Sequence, residues 1–277
     1  FNRDLGHVQG ILHALLENQF SVEVVGEHQV AGRLSDYRLF VVPEWEYLEP
    51  AFRTELVAYV RNGGNLLLVG PATAALFADE LDARPVAPAR SGVAFDVTCA
   101  GTKATAKGSI REFALGPKAV VLGSLTPTEP AAAEIPAASL ATLGRGTIAA
   151  TYFGIGPSYR NNPTPEIRAL VDRLVRRLVP RFDVEISGSH DVDVVLARQG
   201  ERTLVNLVNT SGPHRTEPIL ETVTPVGPLN VSLKTERAPS KLTLEPSGKS
   251  LPFEYREGRV ETVVPSVAIH EAVVVQP

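Results

Sequence analysis

Between Asp36 and Gly70 the chain reads DYRLFVVPEWEYLEPAFRTELVAYVRNGGNLLLVG: an apolar run, a helical period, then a second apolar run. Residues 38–43 and 65–69 are apolar enough for strands buried on both faces. Between them Phe52, Leu56, Val57 and Val60 recur at helical spacing, with Pro50 near the start and Gly63-Gly64 at the end. The pattern predicts a β-α-β unit and, with it, a parallel α/β layer. Upstream, Val8, Ile11, Leu12, Leu15 and Leu16 predict a helix over 6–20, and 21–25 is predicted as another strand. A further helix is predicted over 164–178, where Ile167, Leu170, Val171, Leu174, Val175 and Leu178 share a face between Pro165-Glu166 and Pro180.

Past that helix the helical period ends. Short alternating runs follow at 183–186, 192–198, 203–209, 229–235, 241–245, 259–264 and 268–275. About seven short strands in fewer than about a hundred residues predict an antiparallel β-sandwich. The fold class is therefore α/β plus all-β, with an α/β domain over 1–180 and an all-β domain over 181–277. Residues 83–136 are rich in Ala, Pro, Gly and Thr, and only 93–99 and 119–122 read as strands, so an irregular insertion within the first domain's sheet is expected there.

Composition narrows the function classes. The net charge is −4, with Lys and Arg dispersed, which leaves no basic face for nucleic acid. No apolar stretch approaches the roughly 18 residues of a membrane span. The single cysteine, Cys99, excludes an internal disulfide, and in VTCAGT it reads as a small buried residue rather than a nucleophile. The chain starts at Phe1 and holds no methionine, where average composition gives about five; a fragment of a longer chain is expected. The six histidines are scattered. His7 and His13 are separated by about 600° of helical rotation and so lie on different faces. With no H-E-x-x-H and no cysteine partner, neither a metal nor a cofactor is expected.

Ligands of such a sheet sit beyond the carboxyl ends of its strands. Here those ends read PEWEYLEP and VGPATAALFA, with neither a phosphate-binding glycine loop nor a nucleophile elbow. Glu44, Glu46 and Glu49 form an acidic group at one end; they serve either as a carboxylate pair for glycoside chemistry or as acids that complement the start of the next helix. Trp45 and Tyr47 flank Glu46. Rings beside carboxylates suit a sugar-stacking shelf, and they equally suit a protein interface. Tyr152, Phe153, Tyr159, Arg160, Asn161 and Asn162 form a second polar-aromatic loop with the same two readings.

At these residues the chain resembles a known family. LSDYRLFVVPEWEYLEPAFRTELVAYVRNGGNLLLVG looks like the class I glutamine amidotransferase-like domain that follows the catalytic barrel in some bacterial glycoside hydrolases, known as the trimerisation domain of one β-galactosidase family. LGRGTIAATYFGIGPSYRNNPTPEIRALVDRLVRRLVP and VVLARQGERTLVNLVNTSGP are similar to the end of that domain and to a following β-sandwich. The resemblance implies a flavodoxin/amidotransferase-like parallel sheet followed by that sandwich, with both catalytic glutamates in a preceding barrel outside this sequence. It also implies a glutaminase cysteine in a G-x-C-x-G elbow and a later His-x-Glu pair, and the chain has neither.

The expected function is a non-catalytic C-terminal part of a bacterial glycoside hydrolase that supports oligomerisation and shapes the barrel's active site. A free-standing carbohydrate-binding module is the alternative, and an enzyme using the PEWEY acids is a third reading. The expected partners are the barrel or like subunits, with carbohydrate as the alternative ligand. The bacterial cytoplasm is the working expectation for the compartment.

Overall fold

The computed structural model describes residues 5–129, 131–212 and 222–277. They group into two compact units. One holds the residues up to Ala14 together with Val24–Pro180, and the other holds Leu15–Glu23 with Arg181–Pro277.

The first unit contains helix α1 (Gly6–Leu16) up to Ala14, and helices α2 (Glu27–Val30), α3 (Pro50–Arg61), α4 (Pro71–Ala75), α5 (Ala78–Leu81), α6 (Gly156–Asn161) and α7 (Pro165–Leu178). Its strands are β1 (Leu39–Pro43), β2 (Asn65–Val69), β3 (Ala83–Pro85), β4 (Arg90–Cys99), β5 (Thr102–Ile110), β6 (Phe113–Leu115), β7 (Val120–Glu129), β8 (Ile135–Leu143) and β9 (Gly146–Thr151). The predicted β-α-β unit is present as β1-α3-β2, with Leu39 in parallel register with Asn65. Helix α3 starts on Pro50 and buries Phe52, Leu56, Val57, Tyr59 and Val60. Its exit is shaped by Tyr59, whose ring lies so close over Gly64 that any Cβ there would overlap it. The Tyr59 hydroxyl also donates to the Tyr37 carbonyl at 3.0 Å.

The sheet is only partly parallel. Its order is β1-β2-β9-β8-β7-β4-β5. The pairs β1/β2 and β2/β9 are parallel, whereas β9/β8, β8/β7, β7/β4 and β4/β5 are antiparallel. The insertion expected to be irregular is thus regular strand that extends the same sheet, and β3 pairs with β6 as a separate ribbon. The period is present in β4, where Val93, Phe95, Val97 and Cys99 are buried in alternation. In β5 the inward positions are Ala104, Ala106 and Ile110, and alanine carries too little hydrophobic contrast to reveal an alternating face by sequence. Helix α7 packs across β5, β2 and β9, capped by Thr164, whose hydroxyl accepts from Ile167 N.

The upstream prediction is corrected at two points. Helix α1 stops at Leu16 rather than running to residue 20, and Gln19 adopts a left-handed φ of 57°. Residues 21–25 form no strand, which leaves β1 at the end of the sheet. The reason is competition from the second unit, to which Leu15–Glu23 belongs. Phe20 packs at a tilt on Phe182 with centroids 5.1 Å apart, the Ser21 hydroxyl accepts from Leu196 N at 3.1 Å, and His190 Nδ1 bonds the Glu17 carbonyl at 2.8 Å.

The second unit is built from β10 (Val184–Ser187), β11 (Val192–Gln199), β12 (Arg202–Asn209), β13 (Leu229–Lys234), β14 (Lys241–Glu245), β15 (Lys249–Ser250), β16 (Phe253–Arg256), β17 (Arg259–Val264) and β18 (His270–Gln276). They form two antiparallel sheets, β10-β13-β17-β16 and β11-β12-β18-β14-β15. One core joins them: Leu229, Val231, Leu233 and Val260 from the first sheet meet Val194, Val205, Leu207 and Val273 from the second. No helix occurs among the described residues from 181 onward.

Close backbone packing near α1 yields a first prediction. A Cβ on Gly10 would fall on the Gly156 carbonyl, and a Cβ on Gly156 would fall on the His7 carbonyl. In an exposed helix Gly→Ala gains up to about 1 kcal/mol, but overpacking against unyielding backbone costs about 1–3 kcal/mol or more. Gly10→Ala is therefore expected to destabilise the protein by about 1–2 kcal/mol, seen as an earlier urea midpoint. A later midpoint would show that α1 does not lie against this turn.

Candidate functional site at the strand carboxyl ends

Strands β1, β2 and β9 end side by side, so Glu44, Gly70 and Thr151 arrive together although they are far apart in the chain. Thr151 is 1% exposed; its hydroxyl accepts from Gly70 N at 2.9 Å and donates to the Phe153 carbonyl at 2.8 Å. Thr73 does the same for the next loop, accepting from Trp45 N at 2.6 Å and donating to the Trp45 carbonyl at 2.9 Å. Two hydroxyls therefore fix the backbone at the strand ends.

Glu44 is the centre of the arrangement. Its φ of 38° lies in the left-handed region, an uncommon and mildly strained conformation for a non-glycine residue. That turn carries the side chain inward. Oε1 accepts from Gly156 N at 3.0 Å, and Oε2 lies 3.4 Å from the Ser109 hydroxyl, which donates to it. A Cβ at Gly154 would strike the Glu44 carboxylate, and one at Gly70 would come 2.6 Å from Glu44 Cγ. Glycine on both sides makes room for this carboxyl. Burial pushes its pKa above the ordinary 4.5, while the Gly156 amide, the His7 charge, the Ser109 hydroxyl and the Ile155 amide pull it back.

The other expected site residues divide. Trp45 is half-buried, packs on the first unit's core and lies with its ring 6.0 Å from the His7 ring. Glu46 is exposed, and Tyr47 is 61% exposed. Leu48, next along, is core. Glu49 occupies the N-cap of α3 but makes no side-chain cap bond; its negative charge, close to the Tyr47 phenol, raises the phenol's pKa. The loop is thus split between Glu44, Trp45 and Leu48 facing in and Glu46 and Tyr47 facing out.

In the second loop the aromatics belong to the interior. Tyr159 is 1% exposed. Tyr152 bonds Ser139 at 2.5 Å and stacks on Phe113 at 4.2 Å, and burial lifts its phenol to about 12. Arg160 and Asn161 are exposed on α6. The two loops do meet, but through Glu44 and the Gly156 amide rather than through Tyr159, Arg160 or Asn161. His7, Thr73, Ser109, Thr151, Gly154 and Gly156 complete the site. Sequence reading does not find them, because Ser109 and Gly156 stand 65 and 112 positions from Glu44.

The β2-to-α4 turn at Gly70-Pro71 has the strand-turn-helix form of a nucleophile elbow, with Gly70 at φ 93°, but it bears no nucleophile. Cys99 is fully buried on β4, with its thiol pushed to about 12, so no thiolate forms at neutral pH. Among the described residues no three His, Cys, Asp or Glu gather as a metal site; His214 lies outside those residues. No described helix is long and apolar enough to cross a membrane.

Comparison with known proteins places this geometry. Residues 5–82 match the family model of the β-galactosidase trimerisation domain. No curated protein matches the chain. Among solved structures, α-L-fucosidase isoenzyme 2 from Paenibacillus thiaminolyticus superposes with a TM-score of 0.81 at 18% identity, covering 99% of this chain and 46% of that one. A GH42 β-galactosidase from G. stearothermophilus gives 0.66 at 14% identity, covering 97% and 36%. The β-galactosidase from Bacillus circulans sp. alkalophilus gives 0.64 at 11% identity, covering 99% and 38%. The chain therefore spans less than half the length of these proteins, and at such identities the likeness is one of fold. In sequence, residues 5–82 are similar to the β-galactosidase trimerisation domain, and in fold nearly the whole chain is similar to a portion of larger proteins that include a fucosidase and β-galactosidases.

Proposed function

We propose that this chain is the non-catalytic C-terminal portion of a bacterial glycoside hydrolase, and that it supports self-association and shapes the active site of a catalytic barrel outside this sequence. The observation that carries the reading is the match of residues 5–82 to a β-galactosidase trimerisation domain. The strand ends support it, because a crevice that would hold a nucleophile or cofactor is filled by Glu44 between glycines. On this reading the domains are 1–180, of flavodoxin/amidotransferase-like descent, and 181–277, a β-sandwich.

Tyr47 and Glu46 are the groups this face offers to a barrel or a like subunit. An aromatic ring that is 61% exposed beside acids is also what favours the alternative, a carbohydrate-binding module. Tyr47→Ala separates the two, since it removes an outward ring without disturbing the core. In the interface reading it weakens self-association of the intact protein roughly 10-fold, measured by sedimentation, and the chain retains no oligosaccharide on an affinity gel. Unchanged association with loss of oligosaccharide retention would instead establish a sugar site. The chain alone should hydrolyse no nitrophenyl glycoside and release no ammonia from glutamine; turnover lost in Glu46→Gln would make it an enzyme.

A further inference from the structure

We infer that like subunits of this chain associate head to tail, the acidic loop around Tyr47 of one copy seating on the arginine stripe of α7 of the next. The inference rests on the self-association proposed above and names the two surfaces that meet.

The acidic half is gathered from three segments of the first unit. Glu46 and Glu49 are exposed on either side of Tyr47, Glu27 of α2 accepts from Glu49 N at 3.3 Å, and Glu55 of α3 accepts from Gly32 N at 3.1 Å. No lysine or arginine occurs in residues 14–32 or 39–52. Of the arginines that border these stretches, Arg33 pairs with Asp36 at 3.2 Å, Arg53 pairs with Glu80 at 2.7 Å, and Arg38 stands before β1, at the opposite end of that strand from the loop. An exposed ring among carboxylates suits an arginine, whose planar guanidinium stacks on a tyrosine face while its N–H groups donate to carboxylates.

The complementary half is on the same chain. Helix α7 carries Arg168, Arg173, Arg176 and Arg177, and its Ile167, Leu170, Val171, Leu174 and Val175 are buried. Arg176 pairs with Asp172 at 2.8 Å. Arg173 and Arg177 are exposed, and four positions apart they share one side of the helix.

The two halves cannot meet within one molecule. Leu48 of the acidic loop and Phe52, Leu56, Val57 and Val60 of α3 pack with Leu66, Leu68, Ile148 and Ala150 in a core cluster that contains no residue of α7. Alternate residues of β2 and β9 point to the other face of the sheet, and α7 contacts β2 and β9 from there. Unlike surfaces on opposite faces of one sheet make a heterologous contact, which joins copies into a ring where the rotation closes. Opposite charges on the two surfaces fix which faces meet and in what register.

The test is sedimentation of the whole chain in about 0.1 M and about 1 M salt. It compares the native sequence, an acid-reversed chain (Glu46→Arg with Glu49→Arg), a base-reversed chain (Arg173→Glu with Arg177→Glu) and an equal mixture of the two reversed chains. The native chain should associate, and more weakly in high salt. Each reversed chain alone should associate at least about 10-fold more weakly, because like charges then face each other. The mixture should recover association, since contacts between the two kinds of chain again join opposite charges; a chain that had merely lost its fold would show no such recovery. Arg173→Gln with Arg177→Gln removes the charges without placing acids near the helix end, so it decides the matter if the base-reversed chain does not fold. The inference is overturned if the native chain associates but neither salt nor reversal weakens it, or if the mixture stays dissociated; self-association then uses other surfaces, the acidic loop serves another partner such as the barrel, and the proposed function stands. A native chain that remains monomeric overturns both.

Discussion

Replacing Arg259 with Met is expected to destabilise the second unit by about 3–5 kcal/mol, because each of the buried acceptors it leaves without a donor costs about 1–3 kcal/mol. Arg259 on β17 is 6% exposed. Its Nε donates to the Ser232 hydroxyl at 2.8 Å, Nη1 to the Phe182 carbonyl at 3.1 Å, and Nη2 to the Ser232 and Asp183 carbonyls at 2.9 and 3.3 Å. Burial lowers its pKa, opposed by Glu185, Asp183 and Glu261 nearby. The guanidinium thereby ties 182–183 to β13, next to the 2.7 Å bond from Lys234 N to the Asp183 carbonyl. Met keeps the apolar stem but leaves these acceptors without their donor. Arg259→Lys should fall between the two, because one ammonium cannot reach groups arranged for a planar fork. Urea unfolding followed by far-UV circular dichroism measures it, and a midpoint unchanged in Arg259→Met would refute the role.

The second large effect is expected at Thr151→Val, which conserves shape and deletes one hydroxyl. That hydroxyl serves two buried backbone groups, Gly70 N–H and the Phe153 carbonyl. Each orphaned group costs about 1–3 kcal/mol, so a loss of about 2–4 kcal/mol is expected. Thr151→Ser should recover most of it. If Val and Ser were equally stable, the strand ends would be held by something other than this bond pair.

Legibility of the site followed chain distance. The PEWEY loop was readable because its residues are neighbours, and the strand-end rule placed it where ligands bind. Which of its side chains turn inward was not, since Glu44 and Glu46 have the same chemistry and only the left-handed φ at Glu44 separates them. Tyr159 reads in sequence as part of a polar-aromatic loop for sugar or for an interface; in the fold it is interior. A polar neighbourhood in sequence does not report burial on a helix, where adjacent residues point in different directions.

By itself the sequence determined the punctuated β1-α3-β2 unit, helix α7 between Pro165 and Pro180, and the alternating strands after Pro180. Each of these rests on period, capping and turn chemistry acting within a few residues. Tertiary structure decided the rest: four antiparallel strands extending a parallel trio, the transfer of Leu15–Glu23 to the second unit, and the partial burial of one glutamate among three. Sheet order depends on which distant edges meet. The state of a carboxyl depends on the dielectric and donors around it, and for Glu44 those come from residues 65 and 112 positions away.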